Sequence, residues 1–259
     1  MTTRRAVLAA AGHAGLVALL CGCAEWRIPM DGSGDRAALT ARPGDVPSAA
    51  PPAAGSHALE VERRRDSLLY VPPRVGPAAA PLLVVLHGAG GHAEGAVALL
   101  RGVADLHGLV LLAPASREST WDGVRGAYGP DVDVLDRSLR RAFHLAAVDP
   151  ERVGVAGFSD GASYALGVGL ANGGLFRSVL AFSPGFVPPA GRTGRPRIFV
   201  SHGTADEVLP VGRTSRRIVP ALEEDGYEVE YAEFEGGHTV PRDVALRAVE
   251  WLGWTRPAP

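Results

Sequence analysis

Short apolar runs alternate with amphipathic stretches along the chain from residue 58 onward. The clearest run, PLLVVLH at 81–87, is continuous and rich in branched side chains, as expected of a strand that is buried on both faces. The stretch at 92–106 then spaces its leucine and valine residues as one face of a helix. Because this alternation recurs to the end of the chain, it predicts a parallel sheet with helices on both faces.

The pattern divides most of the chain into eight strands and five helices. The predicted strands are residues 58–62, 67–71, 81–87, 109–115, 152–158, 178–182, 197–202 and 228–235. The predicted helices are residues 92–106, 132–147, 161–172, 214–225 and 241–251. No internal repeat is present, so a single α/β domain spanning 58–256 accounts for all of these elements. The connection at 185–196 contains three prolines and three glycines, which predicts that no helical cap covers the domain.

The N-terminal residues read as an export signal followed by a tether. Residues 1–23 contain two arginines before a short apolar run, which is typical of a signal peptide and resembles a twin-arginine signal. The run ends at Leu20-Cys21-Gly22-Cys23, which resembles a bacterial lipobox and predicts lipidation of Cys23; a plain secretory leader is the alternative. Residues 24–57 are rich in Ala, Pro and Gly and predict a flexible spacer. We therefore expect an exported protein, either a cell-envelope lipoprotein or secreted.

Composition excludes several classes of function. The formal net charge of −2 argues against an electrostatic nucleic-acid binder. All 26 basic residues are arginine, which excludes a lysine nucleophile or Schiff base. The only cysteines, Cys21 and Cys23, precede the predicted domain, so that domain has no disulfide, cysteine nucleophile or cysteine-ligated metal. We expect no metal and no cofactor, and a membrane contact only through the N-terminal anchor.

A G-x-S-x-G motif lies between a predicted strand and a predicted helix. Gly157-Phe158-Ser159-Asp160-Gly161 follows VGVA and precedes a helix of small residues. At such a strand–turn–helix elbow the serine hydroxyl projects above the edge of the sheet, and the flanking glycines leave room where the chain doubles back. This context predicts that Ser159 is a nucleophile, although glycine and serine are also ordinary turn residues.

A nucleophilic serine requires a base and an acid that orients the base. Asp206 follows the strand at 197–202 and His238 follows the strand at 228–235, which gives the chain order serine, acid, histidine that accompanies a strand–turn–helix elbow of this kind. Both therefore lie at the carboxyl ends of strands, where open α/β sheets build their sites. Glu207 is the neighbouring carboxylate, but the HG-x-x-D spacing from Gly203 favours Asp206 as the acid. The alternatives are a turn aspartate and a solvated loop histidine.

The segment His87-Gly88-Ala89-Gly90-Gly91 ends the first long strand. Backbone amides of a glycine-rich loop at this point can hold the oxyanion of a tetrahedral intermediate. We assign the two donors to the amides of Ala89 and Asp160, the latter following the nucleophile. A phosphate-binding loop is the alternative, but neither G-x-G-x-x-G nor G-K-[ST] is present. His87 itself is predicted to be structural.

An uncapped site would be open to short acyl esters or to bulky substrates approached from outside. Gly88, Trp121 and Tyr128 are the candidates for lining its substrate cleft, with simple packing as the alternative for Trp121.

Taken together, HGAGG, GFSDG, HGTAD and GGH resemble the α/β-hydrolase superfamily, in particular its serine carboxylesterase, phospholipase and acyl-protein-thioesterase branch. The DPERV segment at 149–153 is also similar to secreted esterases of the polyhydroxybutyrate-depolymerase-like and feruloyl-esterase-like kinds. The resemblance covers about residues 82–252. It implies an α/β-hydrolase fold and ester hydrolysis through an acyl-enzyme formed by Ser159, His238 and Asp206. Asp160 departs from the resembling proteins, many of which carry Gln, Asn or Ala there.

The predicted triad can serve more than one reaction. Thioester cleavage, polymer depolymerisation and other acyl transfers use the same three residues, and sequence does not separate them. A hypothesis of a different class is a non-catalytic, lipid-anchored binding protein on the same fold. A missing nucleophile, acid or base would favour that hypothesis, and all three are present.

Overall fold

The computed structural model describes residues 34–44, 52–75 and 78–254. An eight-stranded sheet has the order β1-β2-β4-β3-β5-β6-β7-β8. Its strands are β1 Gly55–Ala58, β2 Leu68–Val71, β3 Ala80–Leu86, β4 Val110–Ala113, β5 Val148–Phe158, β6 Ser178–Phe182, β7 Arg197–Gly203 and β8 Val229–Phe234. β1 pairs with β2 and β2 with β4 in the antiparallel direction at one edge, and all the other pairings are parallel. The mostly parallel α/β sheet is therefore as predicted.

In the described residues, five α-helices cover the two faces of the sheet. They are α1 Ala93–His107, α2 Pro130–Leu145, α3 Asp160–Ala171, α4 Ser215–Glu224 and α5 Arg242–Trp251. α1 and α5 pack on one face, and α2, α3 and α4 pack on the other. Side chains of β3 alternate between these two layers, because successive residues of a strand point to opposite faces. This explains why the predicted run at 81–87 is apolar without interruption.

The connection between β6 and β7 contains no helix or strand. This connection, rich in proline and glycine, therefore forms no helical cap over this part of the carboxyl edge, as predicted. None of the helices in the described residues is long and apolar enough to cross a membrane.

The N-terminal part of the described chain corrects the predicted spacer. Ala37, Leu39 and Ala41 are buried in the core layer of α2 and α3. Asn172 at the end of α3 accepts the Leu39 amide at 2.7 Å and donates to the Ala37 carbonyl at 2.8 Å. Asp136 on α2 accepts further amides from this segment. Alternating apolar residues are therefore buried here, because two polar side chains satisfy the hydrogen bonds of the backbone between them.

The first strand also differs from its prediction. β1 is Gly55–Ala58, whereas the pattern placed a strand at 58–62. The carboxylate of Asp66 accepts the backbone amides of Glu60 and Val61 at 2.6 and 2.8 Å, and Glu60 adopts a φ of 56°. These contacts make 60–62 a turn. The predicted signal peptide and Cys23 lie outside the described residues.

Candidate active site

Ser159 lies where β5 turns into α3, in a strained backbone conformation. Its φ of 57° and ψ of −122° are rarely adopted by a residue that has a side chain. The two flanking glycines are required by space: a Cβ at Gly157 would lie 2.1 Å from the Gly161 carbonyl oxygen, and one at Gly161 would lie 2.2 Å from that of Leu86. The chain therefore doubles back tightly at this point, which leaves the Ser159 hydroxyl at the carboxyl edge of the sheet.

The structure brings the three predicted triad residues into hydrogen-bond contact. His238, in the loop after β8, has its Nε2 2.8 Å from Ser159 Oγ. Its Nδ1 lies 2.6 Å from Oδ2 of Asp206, which follows β7. The imidazole also packs against Phe158, with 4.7 Å between the ring centroids. Ser159 is 8 % exposed and Asp206 5 %, so the arrangement is largely shielded from water.

Asp206 is surrounded by hydrogen-bond donors. Its Oδ1 accepts the amides of Val208 and Leu209 at 2.9 and 2.8 Å, and its Oδ2 faces His238. Burial alone would raise the pKa of Asp206, but these hydrogen bonds and the neighbouring imidazoles hold that pKa below its ordinary value. The carboxylate therefore stays charged, as is needed to orient an imidazole. Glu207, the alternative acid, is exposed and lies outside this cluster.

A second histidine contacts the same carboxylate and received no role from the sequence. His202 is fully buried, with Nε2 3.2 Å from Asp206 Oδ2 and 2.7 Å from the Leu209 carbonyl. Its Nδ1 lies 2.7 Å from Ser215 Oγ. Burial lowers the pKa of His202, so the ring is neutral, donates from Nε2 and accepts the serine hydroxyl at Nδ1. The one sequence signal for His202 is that it is the histidine of HGTAD. It lies at the end of β7, two strands along the sheet from β5, which leads to Ser159.

The glycine-rich loop after β3 lies against the turn that carries Ser159. A Cβ at Gly88 would be 3.4 Å from Ser159 Cβ, which places this backbone beside the nucleophile. The Gly88 carbonyl is 2.8 Å from His87 Nδ1 and accepts the Gly91 amide at 3.0 Å. In a trans peptide the next N–H points the opposite way, so the Ala89 amide points away from His87.

His87 is buried, as expected of a structural residue. Its Nε2 accepts the Ser116 amide at 3.1 Å, and burial lowers its pKa. Trp121 and Tyr128 do not line a cleft. Trp121 is completely buried, stacks on Tyr164 and donates to the His87 carbonyl at 2.9 Å; Tyr128 is 4 % exposed. The interpretation of these two as substrate-lining residues is therefore wrong, because the loop turns its aromatic side chains into the core. Of the three cleft candidates, only Gly88 borders Ser159.

No family profile matches the sequence, and neither does any curated protein. Solved structures do resemble the fold. Esterase PE8 is 25 % identical with a TM-score of 0.61, over 73 % of this chain and 97 % of that one. Esterase 2 of Thermogutta terrifontis, phosphonylated by cyclosarin, is 19 % identical with a TM-score of 0.60, over 80 % and 97 % of the two chains. A thermostable esterase is 22 % identical with a TM-score of 0.57, over 73 % and 59 %.

The likeness to these solved esterases and the mostly parallel sheet of this chain point to the same fold. The chain has the α/β-hydrolase fold.

Proposed function

We propose that this protein is a serine hydrolase that cleaves carboxylic esters through an acyl-enzyme. The observation that carries the proposal is the chain of contacts from Ser159 Oγ through the His238 ring to Asp206 Oδ2, at 2.8 and 2.6 Å. This geometry supports Ser159 as the nucleophile, His238 as the general base and Asp206 as the acid that orients the base. The likeness to solved esterases supports ester hydrolysis as the reaction.

The contacts define the tautomer that the reaction needs. Asp206 accepts a hydrogen bond from the N–H at His238 Nδ1, which leaves the lone pair of Nε2 facing the serine hydroxyl. As Ser159 Oγ attacks the ester carbonyl carbon, its proton moves to Nε2 and the carbonyl oxygen becomes an oxyanion. Collapse of the tetrahedral intermediate expels the alcohol, which takes the proton from Nε2. Water then repeats the sequence on the acyl-enzyme and releases the acid.

The amides of Ala89 and Asp160 are the proposed donors to the oxyanion. The peptide orientation set by the Gly88 carbonyl supports Ala89, and the position of Asp160 at the first turn of α3 supports the second. Each such donor contributes about 2.7–4 kcal/mol to transition-state stabilisation.

The surface beside the triad favours uncharged, apolar esters. Phe186 and Val208 are 43 % and 65 % exposed, and they are two of the three exposed large hydrophobic side chains among the described residues. The Phe186 segment is tied to α3 one turn beyond Ser159, because Ser163 Oγ accepts the Gly185 amide at 2.9 Å. Val208 follows Asp206 by two residues. An apolar chain of the ester can contact both, whereas the Asp160 carboxylate disfavours anionic acyl groups.

A substrate panel tests the proposal. The purified protein should hydrolyse p-nitrophenyl esters, and Ser159→Ala should lose several orders of magnitude in turnover while its melting temperature is retained. A tenth of the activity surviving in Ser159→Ala would contradict the proposal. Methyl ferulate, polyhydroxybutyrate and an acyl thioester in the same panel decide between esterase, depolymerase and thioesterase. No turnover of any substrate would favour the binding-protein alternative.

The exposed side chains allow a matched test of chain preference. Phe186→Ala should lower the octanoate-to-acetate ratio of kcat/KM by about fivefold, because apolar contact with the longer chain is lost. Leu106→Ala is the control, since Leu106 is 55 % exposed but lies on α1. Equal ratios in the two variants would contradict a chain contact at Phe186.

Lipid anchoring at Cys23 remains a proposal that rests on the lipobox-like sequence. In a bacterial host the protein should be membrane-associated, and Cys23→Ser should release it into the soluble fraction. An unmodified N-terminus at another residue, detected by mass spectrometry, would contradict the proposal.

A further inference from the structure

The side chain of Asp160 places a negative charge where the proposed reaction develops one. Its own amide is a proposed oxyanion donor, and bond lengths keep the carboxyl group within about 5 Å of that amide. Asp160 is half-buried, and no ion pair involves it in the part of the chain that the structure describes. A carboxylate free to turn toward the oxyanion would oppose its formation, since like charges repel strongly in a partly desolvated site.

One hydroxyl group holds this carboxylate in place. Thr120 Oγ1 donates to Asp160 Oδ2 at 2.6 Å, and Thr120 is also half-buried. A hydrogen bond to an ionised acceptor is stronger than one between neutral groups and fixes the side-chain torsions of both residues.

The segment that carries Thr120 is itself fastened to the loop of the other proposed donor. The Gly90 amide donates to the Ser119 carbonyl at 2.6 Å, and the Trp121 indole donates to the His87 carbonyl at 2.9 Å. The Ser116 amide donates to His87 Nε2 at 3.1 Å. Thr120 thus stands on a segment that is fixed to the Ala89 loop on one side and to Asp160 on the other.

We propose that Thr120 is a positioning residue: it keeps the Asp160 carboxylate turned away from the oxyanion and joins the two amide donors through one segment. The inference rests on the proposed function. It also explains how an acidic residue is tolerated directly after the nucleophile. Thr120 does not contact the reacting atoms; it acts through Asp160.

A double-mutant cycle on a p-nitrophenyl ester tests this proposal. Thr120→Val keeps the shape of the side chain but removes the donor, and kcat should fall about ten- to a hundredfold with KM within about twofold. Thr120→Ser should restore most of the rate, and Thr120→Ala should behave like Thr120→Val. Affinity for a trifluoromethyl ketone should fall by the same factor as kcat, because that inhibitor forms an oxyanion.

A second part of the experiment tests whether the effect depends on the charge of Asp160. It introduces Thr120→Val into an Asp160→Asn variant. With the charge removed, adding Thr120→Val should change kcat by less than about threefold, because coupled residues are not additive. Thr193→Val is the matched control: its hydroxyl donates to the Ala171 carbonyl at 2.7 Å, at the other end of α3. That variant should retain the wild-type kcat.

Three outcomes would overturn the proposal. They are an unchanged kcat in Thr120→Val, an equal loss of kcat in the presence and absence of the Asp160 charge, and a loss confined to KM. A failure of the proposed function is distinguishable, since wild type and Ser159→Ala would then show the same rate. Melting temperatures of all variants separate unfolding from a loss of positioning.

Discussion

Two buried aspartates of this protein make opposite use of burial. Asp206 and Asp131 are 5 % and 2 % exposed, and each accepts two backbone amides. The pKa of Asp206 is lowered, since its hydrogen bonds and two imidazoles outweigh the cost of burial. The pKa of Asp131 is raised, chiefly by burial and further by the charge of Asp122 nearby, despite its two amide donors.

The partners account for the difference. Asp131 and Asp122 are cross-linked by reciprocal contacts: each carboxylate accepts the other's backbone amide at 2.8 Å. The pair joins the loop after β4 to the first turn of α2, and Tyr164 donates to Asp122 at 3.1 Å. Asp206 instead faces an imidazole that also reaches Ser159. Burial of a carboxylate therefore does not by itself indicate a catalytic role; in the proposed site, the buried carboxylate also contacts an imidazole at the carboxyl edge of the sheet.

Replacing the triad acid should have the largest effect. Asp206→Asn keeps the size of the side chain but no longer favours the tautomer with a proton on His238 Nδ1. We expect kcat to fall on the order of 10⁴-fold. Steady-state kinetics with p-nitrophenyl butyrate measures the loss, and circular dichroism checks that the fold is retained. A loss below tenfold would show that Asp206 is not the orienting acid.

The matched change at the other aspartate should affect stability instead. Asp131→Asn turns an amide donor toward a backbone N–H, which should lower the free energy of unfolding by about 1–3 kcal/mol. Denaturant melts give this quantity. The rate of the folded variant should stay within about tenfold of wild type, because Asp131 does not contact the triad. A loss of turnover like that of Asp206→Asn would erase the distinction between the two sites.

Two buried histidines allow a prediction of how the stability of the fold depends on pH. Burial lowers the pKa of His87 and of His202, so the unfolded chain takes up protons at a higher pH than the folded chain. The two neutral histidines therefore stabilise the fold fully at pH values above the pKa of an unfolded histidine, about 6.5. This stabilisation is lost as the pH falls toward their lowered pKa values in the folded protein. Denaturant melts at pH 7.5, 6 and 5 should show decreasing stability. His202→Gln should reduce the slope, and an unchanged slope would exclude His202 as a contributor.

The smallest effect is expected at the residue next to the triad acid. Glu207 is exposed and does not reach His238, so Glu207→Gln should change kcat by less than about threefold. The same ester assay measures it beside Asp206→Asn. If Glu207→Gln were the more damaging of the two, the loop after β7 would present a different carboxylate to the base.

The sequence predicted those features that follow from strong local rules. Continuous apolar runs gave the parallel strands, and the G-x-S-x-G motif in its strand–helix context placed Ser159 at the turn. The order of Asp206 and His238 after later strands led to side chains that the structure brings together.

The failures share a physical cause, which is tertiary contact between distant segments. The short segment at 37–41 resembles a spacer in sequence, because the contacts of Asn172 and Asp136 with its backbone have no local signal. The sequence predicts Trp121 in the substrate cleft, because no neighbouring residue indicates that its indole donates to the His87 carbonyl. The contact of Thr120 with Asp160 spans forty positions and likewise has no local signature.

The central claim is that Ser159 is an activated nucleophile, and a fluorophosphonate probe tests it most directly. After incubation and proteolysis, mass spectrometry should find one phosphonate on the peptide that contains Ser159. Labelling should be absent from Ser159→Ala and strongly slowed in Asp206→Asn, because activation requires the oriented imidazole. Ser163 lies one helical turn away and serves as an internal control. A protein that remains unlabelled, or that carries the label at Ser163 or any other serine, would contradict the account.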